Sequence, residues 1–107
     1  MGTASLHIVM TALVVIFLAL PMAFRLIPKN KFYGFRARRS AGSDEEWYRS
    51  NQTAGIAMVI AGFVTILSAV LVPRFVADDR TVTVVCTGVL FLSLFIAIGY
   101  AILRQSE

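Results

Sequence analysis

The chain has 107 residues, 58% of them hydrophobic, with a mean hydropathy of +0.78 and a formal net charge of +4. That length allows one domain at most, and a soluble domain so small could not hide this much apolar surface inside itself. The single cysteine, Cys86, excludes an intrachain disulfide. In a membrane chain the basic excess sets topology, so no nucleic-acid partner is expected.

The apolar residues are clustered. Leu6 to Phe24, Ala54 to Val72 and Val82 to Leu103 contain no Asp, Glu, Lys or Arg. At about 1.5 Å per residue, about twenty residues cross a hydrocarbon core of roughly 30 Å. The expected class is all-α: an integral membrane protein, a single domain over 1–107, with transmembrane helices at 6–26, 53–72 and 81–103 and a cytoplasmic loop at 27–52.

The first stretch is expected to be retained. Residues 1–7 carry no Lys or Arg, Pro21-Met22-Ala23 is a poor cleavage site, and Arg25 follows at once. Pro21 is expected to kink this helix and Pro28 to stop it, because the residue before a proline avoids the α region. Ala19 and Ala23 offer a small-residue pair for packing.

The loop carries most of the charge. Arg25, Lys29, Lys31, Arg36, Arg38, Arg39 and Arg49 lie in or beside it, and Arg104 lies in the C-terminal tail. The turn between the second and third helices holds only Arg74 and Arg80, beside Asp78 and Asp79. By the positive-inside rule the loop and the C-terminus face the cytoplasm, and the N-terminus faces out. Phe32, Tyr33 and Phe35 suit the headgroup layer, Gly34 permits a tight turn, and Arg36, Arg38 and Arg39 can contact anionic membrane lipids.

Ser43-Asp44-Glu45-Glu46 reads as a capping box, with Ser43 accepting from the amide of residue 46. Asp44 and Glu45 suit the positive end of the helix dipole, and Glu45 and Arg49 are spaced for an i,i+4 pair. A short interfacial helix is therefore expected from residue 44, running into the second membrane helix or meeting it at a bend near Asn51 to Gly55. Trp47 and Tyr48 are expected at the membrane interface. Trp47 and Asn51 share one face, and the Asn51 amide is expected to bond loop backbone, since an unpaired amide there is costly.

In the later helices, Pro73 is expected to end the second. Ala57 and Ala61 on that helix, with Ala54 and Gly62 nearby, and Ser93, Ala97 and Ala101 on the third are small residues at packing spacing. They serve contacts within the chain or, in a sharper reading, a homo-oligomer. The stretches 6–24, 54–72 and 82–103 hold no carboxylate, Lys or Arg, which argues against a pump or an ion-coupled transporter. Thr11, Thr65, Ser68, Thr87 and Ser93 are inexpensive there because a hydroxyl can bond its own helix. Cys86 reads as a small apolar filler, and His7 as a solvated interfacial residue with no second histidine to share a metal. No cofactor and no metal are expected.

The loop pattern resembles the signature of the SdpI family of bacterial membrane proteins. The run Ile-Pro-Lys-Asn-Lys-Phe-Tyr-Gly-Phe-Arg at 27–36 and Ser-Asp-Glu-Glu-Trp-Tyr-Arg-Ser-Asn at 43–51 carry it. The matching positions are Pro28, Asn30, Tyr33, Gly34, Arg36, Ser43, Trp47 and Asn51. Ala37 departs from the family's usual threonine, and the chain resembles a short, three-helix form. The resemblance implies a protein of the bacterial plasma membrane that acts by binding, in immunity to a membrane-active toxin or in signalling that holds a repressor at the membrane. A toxin peptide or a repressor protein would be the partner. The alternative is an accessory or stabilising subunit of a larger membrane complex. No enzyme is expected: the sequence holds no Ser/His/Asp set, metal cluster or phosphate loop, and helix capping accounts for Asp44, Glu45 and Glu46.

Overall fold

The computed structural model describes residues 2–28 and 43–105. Three α-helices account for most of them: α1 at Thr3–Ala23, α2 at Asp44–Leu71 and α3 at Asp79–Gln105. All three are long and apolar enough to cross a membrane. They run up, down and up. Gly55 of α2 lies against Ala19 and Ala23 near the end of α1, and Gly62 lies against Ala12 and Ile16 further back. At the opposite end, Ala69 of α2 clusters with Ala4 and Ile8 of α1 and with Val82 and Cys86 of α3. Only 28%, 28% and 22% of the most apolar window of α1, α2 and α3 is buried inside the chain. Phe17, Phe63, Phe91 and Phe95 face outward with more than half of their surface exposed. Such a surface is compatible with a lipid solvent and not with water.

With lipid as apolar as leucine, helix contact rests on close packing. The α1–α2 seam is built for this from small residues seven apart: Ser5, Ala12 and Ala19 on α1, all buried, face Gly55, Gly62 and Ala69 on α2. A seven-residue spacing returns a side chain to nearly the same side of a helix, with about 20° of drift per repeat. A Cβ added at Gly55 would lie 2.6 Å from the Ala23 nitrogen and 2.9 Å from the Ala19 carbonyl oxygen. Backbone atoms cannot swing aside as a side chain can.

Four of the five hydroxyls expected to bond their own helix do so. Thr11 donates to the His7 carbonyl (2.9 Å), Thr65 to Ala61 (2.9 Å), Ser68 to Thr65 (2.7 Å) and Ser93 to Leu90 (3.0 Å). Cys86 is wholly buried in the apolar cluster, as a filler should be.

Of three boundaries, the first departs from the sequence reading, the second decides between the two alternatives it left open, and the third agrees with it. First, α1 ends at Ala23, five residues before Pro28, and Pro21 sits within its last turn. The stop is a Schellman turn: Arg25 N–H donates to the Met22 carbonyl (3.2 Å) and Leu26 N–H to Pro21 (2.8 Å). Arg25 takes the left-handed position with φ 60°. Second, the short interfacial helix is not a separate element, because residues 44–52 are the opening turns of one continuous α2. There is no proline between 44 and 71. A bend near Gly55 would also free backbone groups in the apolar layer, where none can be left unpaired. Third, Pro73 follows the end of α2 within a 3₁₀ turn, Val72–Arg74. α3 then starts beside Asp78, whose Oδ2 accepts from the Thr81 hydroxyl (2.9 Å) and Oδ1 from the Arg80 amide (3.3 Å).

Two predictions follow from this packing. Gly55→Ala is expected to destabilise the chain in detergent by about 1–3 kcal/mol, the usual cost of overpacking. Gly62→Ala should destabilise as well, because its Cβ would meet Cγ1 of Ile16, at the stem of a β-branched side chain with little rotamer freedom in a helix, and the loss should shrink in an Ile16→Ala background. Thermal unfolding of the four variants measures both effects. The hydrogen bonds from Thr81 and Arg80 hold the exposed Asp78 carboxyl below its ordinary 3.8. A depressed carboxylate stabilises above its unfolded value, and that contribution is lost as pH falls through the folded one. Amide exchange at Arg80 to Val82 should therefore be protected at neutral pH and accelerate, beyond the intrinsic rate, only below about pH 3.8.

Candidate functional site

The site is assembled where α1 ends and α2 begins. Ser43 caps α2 in an extended conformation (φ −133°, ψ 166°), and its hydroxyl oxygen accepts from the Glu46 amide at 3.2 Å. Asp44, Glu45 and Glu46 fill the first turn, where the helix dipole favours negative charge. Among the described residues Glu45 and Arg49 make no ion pair. Both are exposed, and such a pair contributes only a few tenths of a kcal/mol.

This cap fixes the rotation of the next turn. Trp47, Ser50 and Asn51 are buried at 1%, 5% and 1% exposure, and Ala54 continues their stripe at 1%. The Trp47 indole N–H donates to the Ile27 carbonyl oxygen at 2.8 Å. Asn51 Nδ2 donates to the Trp47 carbonyl at 2.9 Å, so the tryptophan is held at its ring and at its backbone. Ile27 also packs on the cluster of Met22, Ala54 and Ala101, with Met58, which draws residues of all three helices together. Beside it, Arg25 Nε donates to Gln52 Oε1 at 3.0 Å.

The result is a strap. The chain leaves α1 through the Schellman turn, crosses the mouth of the bundle at Leu26 to Pro28, and is tied to α2 by one part-buried and one exposed side-chain hydrogen bond. A tryptophan N–H usually finds a partner when buried. Here that partner is a backbone carbonyl next to Pro28.

Of the residues singled out in the sequence, Ser43, Trp47 and Asn51 lie on the opening turns of α2, and Trp47 brings Pro28 close through its neighbour Ile27. Asn30, Tyr33, Gly34 and Arg36 lie outside the described residues. Trp47 corrects the interfacial expectation: the ring is inside the protein instead of anchoring in the headgroup layer, because its N–H has the Ile27 carbonyl to satisfy. The Asn51 Nδ2 donates to its own helix at Trp47, the loop residues 30–36 against which a further bond was expected lie outside the described residues, and Trp47 itself makes a bond to the chain just before them. The sequence reading missed Ile27, Arg25 and Gln52. Ile27 had a signal, a large apolar residue directly before a proline in an otherwise polar stretch. The Arg25–Gln52 contact had none.

Three antiparallel helices of membrane-spanning length, closed at one mouth by a strap and a capped helix start, define a small polytopic helical membrane protein. The chain belongs to the SdpI/YfhL protein family, whose model matches residues 26–103. That match starts at the strap, runs through α2 and nearly all of α3, and leaves α1 outside. No curated protein and no solved structure matches the chain.

Trp47→Phe keeps the ring and removes the donor. It is expected to cost about 1–3 kcal/mol, the penalty of leaving a buried acceptor unpaired. Trp47→Ala and Asn51→Ala should loosen the loop against α2. Limited proteolysis between residues 24 and 43 reads the loosening, and unchanged cleavage in both alanine variants would contradict the strapped arrangement.

Proposed function

We propose that this protein acts by binding and not by catalysis, in SdpI-type immunity to a membrane-active toxin or in membrane-linked signalling. The supporting observation is that the family signature is not scattered in space. Its two ends, at Pro28 and at Trp47 to Asn51, meet through the Trp47–Ile27 hydrogen bond, so the residues between them form a closed loop on a fixed base. A loop held at both ends orders less on binding, which favours recognition.

In this reading the protein sits in the bacterial plasma membrane with its N-terminus outside and its C-terminus inside. Arg25, Lys29, Lys31, Arg36, Arg38, Arg39, Arg49 and Arg104 then face the cytoplasm, and only Arg74 and Arg80 face out, beside Asp78 and Asp79. The cytoplasmic loop is one contact surface, for a toxin peptide or for a repressor protein held at the membrane. Asn30, Tyr33, Gly34 and Arg36 would supply its specific part, with Ser43, Trp47 and Asn51 as its base.

The test is expression in a bacterium sensitive to the sporulation-delay toxin, followed by challenge with that toxin. Survival is expected with the native chain and should be lost with Arg36→Ala or Asn51→Ala at unchanged membrane levels. Killing at the rate of the empty host would sink the immunity reading. Co-purification in fixed ratio with a larger membrane protein would instead favour an accessory subunit.

A further inference from the structure

On the side of the bundle away from α1, α2 and α3 enclose a groove of about 610 Å³. Ala57, Ala61 and Ala97 form its floor, with Ala61 and Ala97 buried against each other's helix. Ile56 and Ile60 on α2 and Ile96 and Tyr100 on α3 stand as its walls, each about half exposed. The small residues expected to serve helix contact therefore do so from one side and leave a channel on the other.

Two features identify what this channel fits. The first is length. It runs from Thr53 to Val64 on α2 and from Ser93 to Arg104 on α3, about 17 Å at about 1.5 Å per residue. That is close to half of a hydrocarbon core of roughly 30 Å, so the groove is one leaflet deep. The second is charge. Arg104 lines the groove at one end only, and exposed Arg49 lies one turn before Thr53 on the same stripe of α2. The Tyr100 phenol stands one turn inside that mouth. The other end, at Val64 and Ser93, has no charge among its lining residues. An apolar slot of one-leaflet depth with cations at its mouth is complementary to a phospholipid with an anionic headgroup.

We propose that the α2–α3 groove is a binding site for one acyl chain of an anionic phospholipid, whose phosphate is held between Arg104 and Arg49. The site is independent of the toxin and repressor reading, and it lies on the opposite side of α2 from the strap. Its occupant would fill the gap beside Ala61 and Ala97, and so brace α3 against α2.

The full chain in detergent, incubated with equal amounts of phosphatidylglycerol and phosphatidylcholine and examined by native mass spectrometry, tests this. One phosphatidylglycerol retained per chain is expected, preferred at least fivefold over phosphatidylcholine. The Arg104→Gln/Arg49→Gln double variant should bring the two lipids to parity. Ala57→Leu should abolish retention while helical content is kept, and Ala57→Val is the milder plug if leucine prevents assembly. Val85→Ala, on the outward face of α3, should change nothing. Equal retention of both lipids by the native chain would overturn the proposal, as would undiminished retention in a folded Ala57 variant. A native dimer that Ala57→Leu converts to monomer would also overturn it, since the occupant would then be a second copy of this chain.

Discussion

The donation of the Trp47 indole N–H to the Ile27 carbonyl is the constraint on which the described mouth of the bundle depends. Both groups lie where water is scarce, and each would be costly to leave unpaired. Once they are joined, much of the local geometry is fixed. The chain must leave α1 sharply enough to bring Ile27 over α2, which a Schellman turn does in three residues. Ile27 must present its side chain to Met22, Ala54 and Ala101. α2 must begin early enough for Trp47 to sit within its first helical turns, and the Ser43 cap makes it do so. The left-handed φ of 60° at Arg25 belongs to the same requirement. A non-glycine residue there costs roughly 1–2 kcal/mol. Arg25 keeps the position while reaching Gln52, a contact that glycine could not supply.

The two ends of the bundle are built differently. At one, Ala4, Ile8, Ala69, Val82 and Cys86 make an apolar plug, and the Asp78 carboxylate caps α3 from outside it. At the other, buried Trp47, Ser50 and Asn51 sit beneath the strap. Buried polar side chains restrict a structure to arrangements that satisfy them, whereas an apolar plug tolerates sliding. The strap end, with three such side chains against the single Ser5 at the other, carries the described part of the family signature. Between them the seam of Gly55, Gly62 and Ala69 against Ser5, Ala12 and Ala19 holds α1 and α2 close enough for Ile27 to reach the Trp47 ring.

How much of this was legible in the sequence depended on the range of the physics involved. Ser43 was readable because a capping box is a local pattern with a local mechanism. The three spans were readable because hydrophobic thickness sets their length. Trp47 was placed at the membrane interface because composition gives the preference of an indole but not the position of its acceptor, twenty residues earlier in the chain. The end of α1 was placed at Pro28 because proline announces itself, while a left-handed arginine leaves no trace in residue type. The four-residue spacing of Ala19 and Ala23 concealed the seven-residue one that the α1–α2 contact uses. A bend near Asn51 to Gly55 was one of two alternatives, and Gly55 is instead a place where two backbones nearly touch. Asn30, Tyr33, Gly34 and Arg36 rest on resemblance alone.

The placement of Asn51 bears on why a polar stripe should run into the apolar layer at all. Its amide lies at 1% exposure beside Ser50 and one turn from Trp47. An alanine at that position would pack as well and need no partner, so the fold alone does not call for an amide. What the amide does in the described structure is hold the Trp47 carbonyl, on the helix turn whose ring holds the strap. A change at Asn51 can therefore act on the base of the loop through Trp47. This separates two roles that a signature read as a string of letters would merge. Trp47 and Asn51 belong to the base that holds the loop, and in the proposed function Asn30 to Arg36 supply its specific contacts.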